Sequence, residues 1–485
     1  MILAVDVGTT ILKAALFSDE GGLRKGAEKP LTLAPNTDPL RHEIDAGSWI
    51  TALRAVWGRL SSGGGADLSS IVVSGNGPTV VPAGDDGMPL DVAMTWMDRR
   101  CTEEAAEVSA HAGFYVDPTF YLPKALWIFK NRKEIYDRTK YFFSCSEYIN
   151  YLLTGKAYTI LPVPEYRDFI WTEKLVSALG MDWRKFPGFI SPADYIGNTS
   201  DSAFALFGIP RDVPVFAGGP DFIVSLIGTA TVAPGRACDR AGTSEGINLC
   251  TGNLIQDPRL ICVSHVIKGL YNISGPISTT GKALEWIKKI TGKEHVSYEE
   301  LFKDIENLPA GSGSLVFLPY LTGERAPIWD SDARGVFMGL TLSHGRQEMT
   351  RAVVESVGFA IRHVLSVMED MGLEIMDLRI TGSQAKSGIW NQIKADITGK
   401  NILVPMWKES ELTGDMCIAL YRMGKYPDLA SAADSMVKIE KIYSPDPANR
   451  ETYDRLFGVY RDSYEGLKEV FKKLSAPINN KEKIG

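Results

Sequence analysis

Ile2-Leu3-Ala4-Val5-Asp6-Val7-Gly8-Thr9-Thr10-Ile11-Leu12-Lys13-Ala14-Ala15-Leu16-Phe17 opens the chain as a strand, a Gly-Thr-Thr turn and a second strand. Its echo is Arg236-Ala237-Cys238-Asp239-Arg240-Ala241-Gly242-Thr243-Ser244-Glu245-Gly246-Ile247-Asn248-Leu249-Cys250, where a Gly-Thr-Ser turn again joins two β-like runs. Similar hairpins near the start of each half suggest a duplicated fold. Two ordinary hairpins are the alternative, since Gly-Thr turns are common. A boundary at Ala233-Pro234-Gly235 divides the chain into domains 1–235 and 236–485.

Outward from the hairpins, Gly and Pro punctuate alternating short β-like runs and longer helical patterns, the rhythm of an α/β protein. Val213–Ala217, Leu315–Leu318 and Leu378–Thr381 read as buried strands. Helical spacing marks Ser48–Leu60, Thr102–Ala110, Ala283–Ile290, Gln347–Met371 and Ile389–Thr398, with a final amphipathic helix over 450–475 and a frayed tail at Lys481–Gly485. The 485 residues suit two to four domains, and 45% hydrophobic residues fill real cores. A net charge of −7 argues against nucleic acid as a partner. Six cysteines without a CxxC pair argue against a disulfide framework or structural zinc and fit a reducing compartment. With no secretory pattern at the start and no apolar run near the roughly 20 residues of a membrane helix, the expectation is a cytoplasmic protein with no membrane partner.

Asp6 closes an apolar strand, where a carboxylate must find a cation or several donors. In Gly8-Thr9-Thr10 the backbone can approach an anion while N–H and O–H groups donate to it, and Lys13 adds a positive charge nearby. Asp6 and this turn suit a magnesium-bound polyphosphate; a capped turn with a surface lysine is the plainer alternative. Gly242-Thr243-Ser244 offers the same equipment in the other half, so the two turns would bracket one nucleotide. Asp221 follows Gly218-Gly219-Pro220 at the start of an apolar helix, Phe222–Gly228. It can cap that helix, and it can also orient an alcohol and take its proton as phosphorus is attacked. Ile380-Thr381-Gly382-Ser383-Gln384 and Thr279-Thr280-Gly281-Lys282-Ala283-Leu284 place small residues before helices, each a weak signal. There is no GxxxxGK[ST], GxGxxG or HExxH. Gly242–Gly246 matches the GxSxG elbow of serine hydrolases, but that motif needs a helix after the serine, and Ile247-Asn248-Leu249-Cys250 alternates like a strand. The six histidines form no ligand spacing.

With these turns in view, the sequence resembles the FGGY carbohydrate kinases of the sugar kinase, heat-shock-protein-70 and actin superfamily. The resemblance is carried by Gly335-Val336-Phe337-Met338-Gly339-Leu340, seven residues, then Glu348-Met349-Thr350-Arg351-Ala352-Val353-Val354-Glu355. Pro319-Tyr320-Leu321-Thr322-Gly323-Glu324-Arg325-Ala326-Pro327 looks like the family's PYLxGER segment. Lys124 and Trp127 fit the K-x-x-W kernel of the first signature, although Ala125 departs from it. The likeness runs from residue 1 to about 430. It implies an α/β protein of two actin-like, ribonuclease H-like domains with a central cleft, 1–235 binding sugar and carrying the catalytic Asp, 236–485 binding nucleotide.

By this resemblance Asp6 holds Mg²⁺, Thr9, Thr10 and Lys13 face the γ-phosphate of ATP, and Gly242, Thr243 and Ser244 cradle phosphates from the other domain. Asp221 is the catalytic base. Gly281, Leu284, Glu285, Gly382, Ser383 and Gln384 surround the adenosine. After the strand Ile71-Val72-Val73-Ser74, where glycerol kinases carry Arg-Glu and xylulose kinases Met-His, this chain has Asn76-Gly77-Pro78-Thr79. Loss of the Arg-Glu pair counts against glycerol, because hydroxyl recognition depends on fixed polar partners. Met94-Thr95-Trp96-Met97-Asp98-Arg99 keeps the family's W-x-D-x-R pattern, so Asn76, Trp96 and Asp98 are the sugar-side candidates, each open to a packing or capping role instead. The expected activity is phosphorylation of a primary hydroxyl of a small sugar or polyol, a ketopentose such as xylulose foremost. The alternative is a non-catalytic actin-like ATP-binding module, a sugar sensor or chaperone-type ATPase. Besides the sugar, a homodimer partner is envisaged.

Overall fold

The computed structural model describes residues 1–35, 38–62, 67–242 and 244–475. The expected frayed tail, Lys481–Gly485, lies outside them. The chain forms two units: Met1–Ala230 with Ser264–Lys268 and Glu409–Val437, and Thr231–Val263 with Gly269–Lys408 and the chain from Lys438 on. A single cut at 235 falls close to the first crossing, but it does not capture the return of 409–437 to the first unit.

Numbering only the strands of the two large sheets, the first unit has β1 (Ile2–Val7), β2 (Ile11–Phe17), β3 (Leu23–Pro30), β4 (Ser70–Gly75), β5 (Tyr195–Asn198) and β6 (Pro214–Pro220), in the order β5-β6-β4-β1-β2-β3. The central strands β1 and β4 are buried along their whole length, as parallel neighbours covered on both faces must be. That is why they read as continuous apolar runs in which Asp6 stands out. The second large sheet has β7 (Arg236–Ala241), β8 (Glu245–Thr251), β9 (Ile261–Ser264), β10 (Tyr271–Ile277), β11 (Asp377–Thr381), β12 (Ile402–Pro405) and β13 (Ile439–Tyr443), in the order β9-β10-β8-β7-β11-β12-β13.

The two sheets repeat one plan. An antiparallel meander, β3-β2-β1 or β10-β8-β7, is extended by two strands parallel to its first member and closed by an antiparallel strand. The matching hairpins at residues 2 and 236 are therefore corresponding parts of a duplicated α/β fold. Ser244 leads into β8 rather than into a helix, which removes the hydrolase elbow.

Five helices bear on the sites: α1 (Asp221–Gly228), α2 (Gly281–Ile290), α3 (Arg346–Asp370), α4 (Gly388–Thr398) and α5 (Ser410–Arg422). The bounds of α2, α3 and α4 lie within two residues of those read from apolar spacing, and the last helix, Arg450–Ser475, coincides with the expected one. No helix among the described residues is long and apolar enough to cross a membrane.

Candidate active site

In the first unit Asp6 sits on β1 opposite Lys13 of β2 on one side and Ser74 of β4 on the other. Asp6 is buried, and its Oδ1 has no hydrogen-bond partner among the described residues. Its carboxyl is held well above the usual carboxylate range, first by burial and then by the charges of Glu411, Asp221 and Glu409, with Lys13 pulling the other way. Lys13 is engaged by Glu409, so no cation is committed to Asp6 alone.

Glu409 and Glu411 reach this place because the returning helix α5 crosses α1 backbone to backbone. A Cβ on Gly228 would lie 1.8 Å from the Ser410 carbonyl oxygen, and one on Gly414 would lie 2.2 Å from that of Val224. Any larger residue at either point would push the helices apart. The crossing lets the Ser225 hydroxyl donate to Glu411 Oε1 at 2.7 Å and the Ser74 hydroxyl donate to Asp415 Oδ2 at 2.8 Å. Asp415 is fully buried, and burial pushes its carboxyl well up. Asp221 begins α1 directly after Pro220, so it is the first helical residue rather than the cap, and it is half-buried.

The donor set fits magnesium of one particular kind. Among the described residues no group of three or more His, Cys, Asp or Glu could hold a metal ion by itself. Mg²⁺ in phosphoryl-transfer sites commonly takes one or two carboxylates and fills its remaining positions with phosphate oxygens and water. The bare oxygen of Asp6 meets that requirement.

Beside Asp221, a cavity of about 130 Å³ is bounded by Asn76, Tyr121, Glu147, Tyr166, Phe169 and Phe222, among others. The Asn76 amide donates to the Val7 carbonyl at 2.9 Å and accepts from the Thr79 hydroxyl at 2.7 Å, so it shapes the wall. Trp96 does not line the cavity: its indole N–H donates to Thr9 Oγ1 at 3.0 Å, tying the expected sugar and phosphate residues together. Asp98 is fully buried and accepts from the His42 backbone N–H and the Arg100 guanidinium, a brace with no face left for a ligand. Lys124 and Trp127 of the first-signature kernel also work internally. Lys124 Nζ donates to the Pro78 carbonyl at 2.7 Å, and Arg100 lies 4.9 Å over the Trp127 ring.

In the second unit a pocket of about 800 Å³ brings together Gly242, Gly281, Leu284, Glu285, Ser383 and Gln384. The Gly242 carbonyl accepts from Gly281 N–H at 3.2 Å, Thr280 Oγ1 at 3.3 Å and Gln384 Nε2 at 3.0 Å, fastening the turn to both segments expected around adenosine. Gly382 stands behind them at φ +82, where a Cβ would meet the Ala241 carbonyl oxygen at 2.3 Å. Thr243 lies outside the described residues. Phe302 and Trp390, whose rings are 5.4 Å apart, also line this pocket, together with Tyr298. The sequence reading missed them, although the Ser297–Glu300 capping box announces the helix Tyr298–Glu306.

Family models for the N-terminal and C-terminal domains of the FGGY family of carbohydrate kinases match residues 1–228 and 240–423. The chain belongs to the FGGY family. This kinase is a phosphotransferase that takes ATP as donor and a sugar as acceptor. Xylulose kinases of Staphylococcus epidermidis and Lactococcus lactis are 26% and 27% identical to it, covering 99% and 98% of both partners. A gluconokinase of Bacillus subtilis is 26% identical over 95% of this chain and 94% of its own length. Among solved structures, a gluconate kinase from Lactobacillus acidophilus superposes with a TM-score of 0.85 at 26% identity, covering 98% of this chain and 99% of that one. A xylulose kinase from Rhodospirillum rubrum gives 0.82 at 28%, covering 97% and 99%.

Proposed function

We propose that this kinase transfers the γ-phosphoryl group of ATP, with Mg²⁺, to a primary hydroxyl of a small neutral sugar or polyol, a ketopentose such as xylulose. The observation that carries the reading is the juxtaposition, in one unit, of the bare Asp6 carboxylate, Asp221 within its electrostatic reach and a sugar-sized cavity. Asp221 takes the proton of the attacking hydroxyl and aligns its oxygen with phosphorus. Thr9 and Thr10 donate to the γ-phosphate, and Lys13 exchanges Glu409 for it. Gly242, Thr243 and Ser244 receive phosphate in the second unit, while Gly281, Leu284, Glu285, Gly382, Ser383 and Gln384 hold the adenosine. Asp6 holds the magnesium, which when bound neutralises charge on the phosphate oxygens. Trp96 steadies Thr9, Asn76 shapes the sugar wall, and Asp98 is assigned no ligand.

Relatives are named for both xylulose and gluconate. The cavity wall favours the neutral acceptor: among the described residues no Lys or Arg lines it, and Glu147 does, so an aldonate carboxylate would enter unpaired. A coupled ADP-release assay over pentuloses, hexuloses, alditols and aldonates tests this. Release should depend on a neutral acceptor and fall about 10²–10⁴-fold in Asp221→Ala with ATP affinity retained. Release independent of any acceptor would favour the sensor or chaperone-type ATPase instead.

A further inference from the structure

The wall of the cavity beside Asp221 is built in an unusual way for a site that takes a polyhydroxylated molecule. Phe169 packs against Phe114 at 4.7 Å and edge-on to Phe120 at 6.0 Å between ring centroids. Tyr166 continues the row at 6.5 Å from Phe169 and 6.1 Å from Phe222, the residue next to Asp221. These rings are half-buried, and all but Phe114 face the cavity. Two of the polar side chains around them are already engaged, Asn76 with Val7 and Thr79, and Glu147 with the backbone N–H groups of Ser144 and Ile160, while Ser144 and Ser146 border the cavity as well. Tyr121 also lines the cavity, and its Oη is buried with no hydrogen-bond partner among the described residues.

A sugar hydroxyl placed against the faces of these rings gives up water for a mostly apolar wall, whereas a methyl group gains ring contact. A single carbonyl or hydroxyl beside that methyl could accept the unused O–H of Tyr121. We propose that the cavity receives the end of the acceptor remote from the phosphorylated hydroxyl and selects a ketose deoxygenated there, methyl-terminated, with Tyr121 donating to the carbonyl beside the methyl. This rests on the kinase reading above and narrows its substrate class. The ring row supplies the preference, and Tyr121 supplies the register that keeps the far hydroxyl at Asp221.

The test is a set of matched pairs, each a 2-pentulose and its 1-deoxy analogue of the same stereochemistry, assayed with Mg-ATP. The deoxy member of the productive pair should show at least about tenfold higher kcat/KM, the scale on which an apolar pocket discriminates. Tyr121→Phe should raise the acceptor KM about tenfold while leaving the KM for ATP unchanged, a split that a purely structural role would not produce. Turnover of a parent ketose with kcat/KM equal to or above that of its deoxy analogue overturns this inference and leaves the kinase reading standing. Silence from both members of every pair also overturns this inference, and acceptor-dependent ADP release with a hexulose or an alditol then leaves the kinase reading standing.

Discussion

The hairpins β1–β2 and β7–β8 share a backbone plan and settle their charges in opposite ways. In the second, Lys394 is fully buried between Asp239 at 2.7 Å and Glu245 at 3.0 Å, and neither acid is exposed. One lysine faces two carboxyls, so the cluster is neutral when one acid keeps its proton. Glu245 is pushed up to about 8, by burial first and by Asp239 next. In the first hairpin the only lysine, Lys13, is partly exposed and engaged by Glu409, and Asp6 keeps a bare oxygen. Two residues before the turn glycine, the first hairpin has Asp6 and the second has Arg240. Duplication supplied two equivalent frames, and the side chains made one a self-contained brace and left the other a charge for a ligand to complete.

The contrast is broken most forcefully by Lys394→Met. Removing the single cation strands two buried acids, and about 3–5 kcal/mol of stability should be lost in urea unfolding. A loss under 1 kcal/mol would mean that the triad is not the brace described. Asp6→Asn should behave in the opposite sense: stability changes by less than about 1 kcal/mol, because burial and the neighbouring acids already disfavour the charged carboxyl there, while kinase turnover collapses and no longer responds to added Mg²⁺. Strong destabilisation by this substitution would show Asp6 to be structural. The gentlest probe is pH. The folded state retains a proton on Glu245 that the unfolded chain gives up above about 4.5, so this contribution to stability is complete below that value and disappears as pH rises through about 8. Glu245→Gln should flatten the decline, whose slope is at most about 1.4 kcal/mol per pH unit; an unchanged slope would place the proton elsewhere.

Much of this was legible in the amino-acid order. Hairpins are local, so strand, turn and the odd carboxylate of Asp6 could be read directly, and the helices of the second unit announced themselves by spacing. Ser383, Gln384, Gly281 and Leu284, far apart along the chain, do meet in one pocket. What could not be read was non-local. Glu409 and Glu411 look like surface acids until Gly228 and Gly414 are seen to let α5 ride against α1. Asp98 matched a pattern, but its oxygens were already claimed by His42 and Arg100. The aromatic row is dispersed from Phe114 to Phe222, and no spacing rule gathers it.

The return of residues 409–437 to the first unit also bears on synthesis. A ribosome releases β1, β4 and α1 early, yet the helix that covers them and carries Glu411 emerges only after the second unit has been made as far as Lys408. The amino-terminal half must therefore wait, with the apolar faces that α5 will cover still exposed, while its younger counterpart is still being translated. Any truncation short of residue 437 would leave that half permanently unfinished.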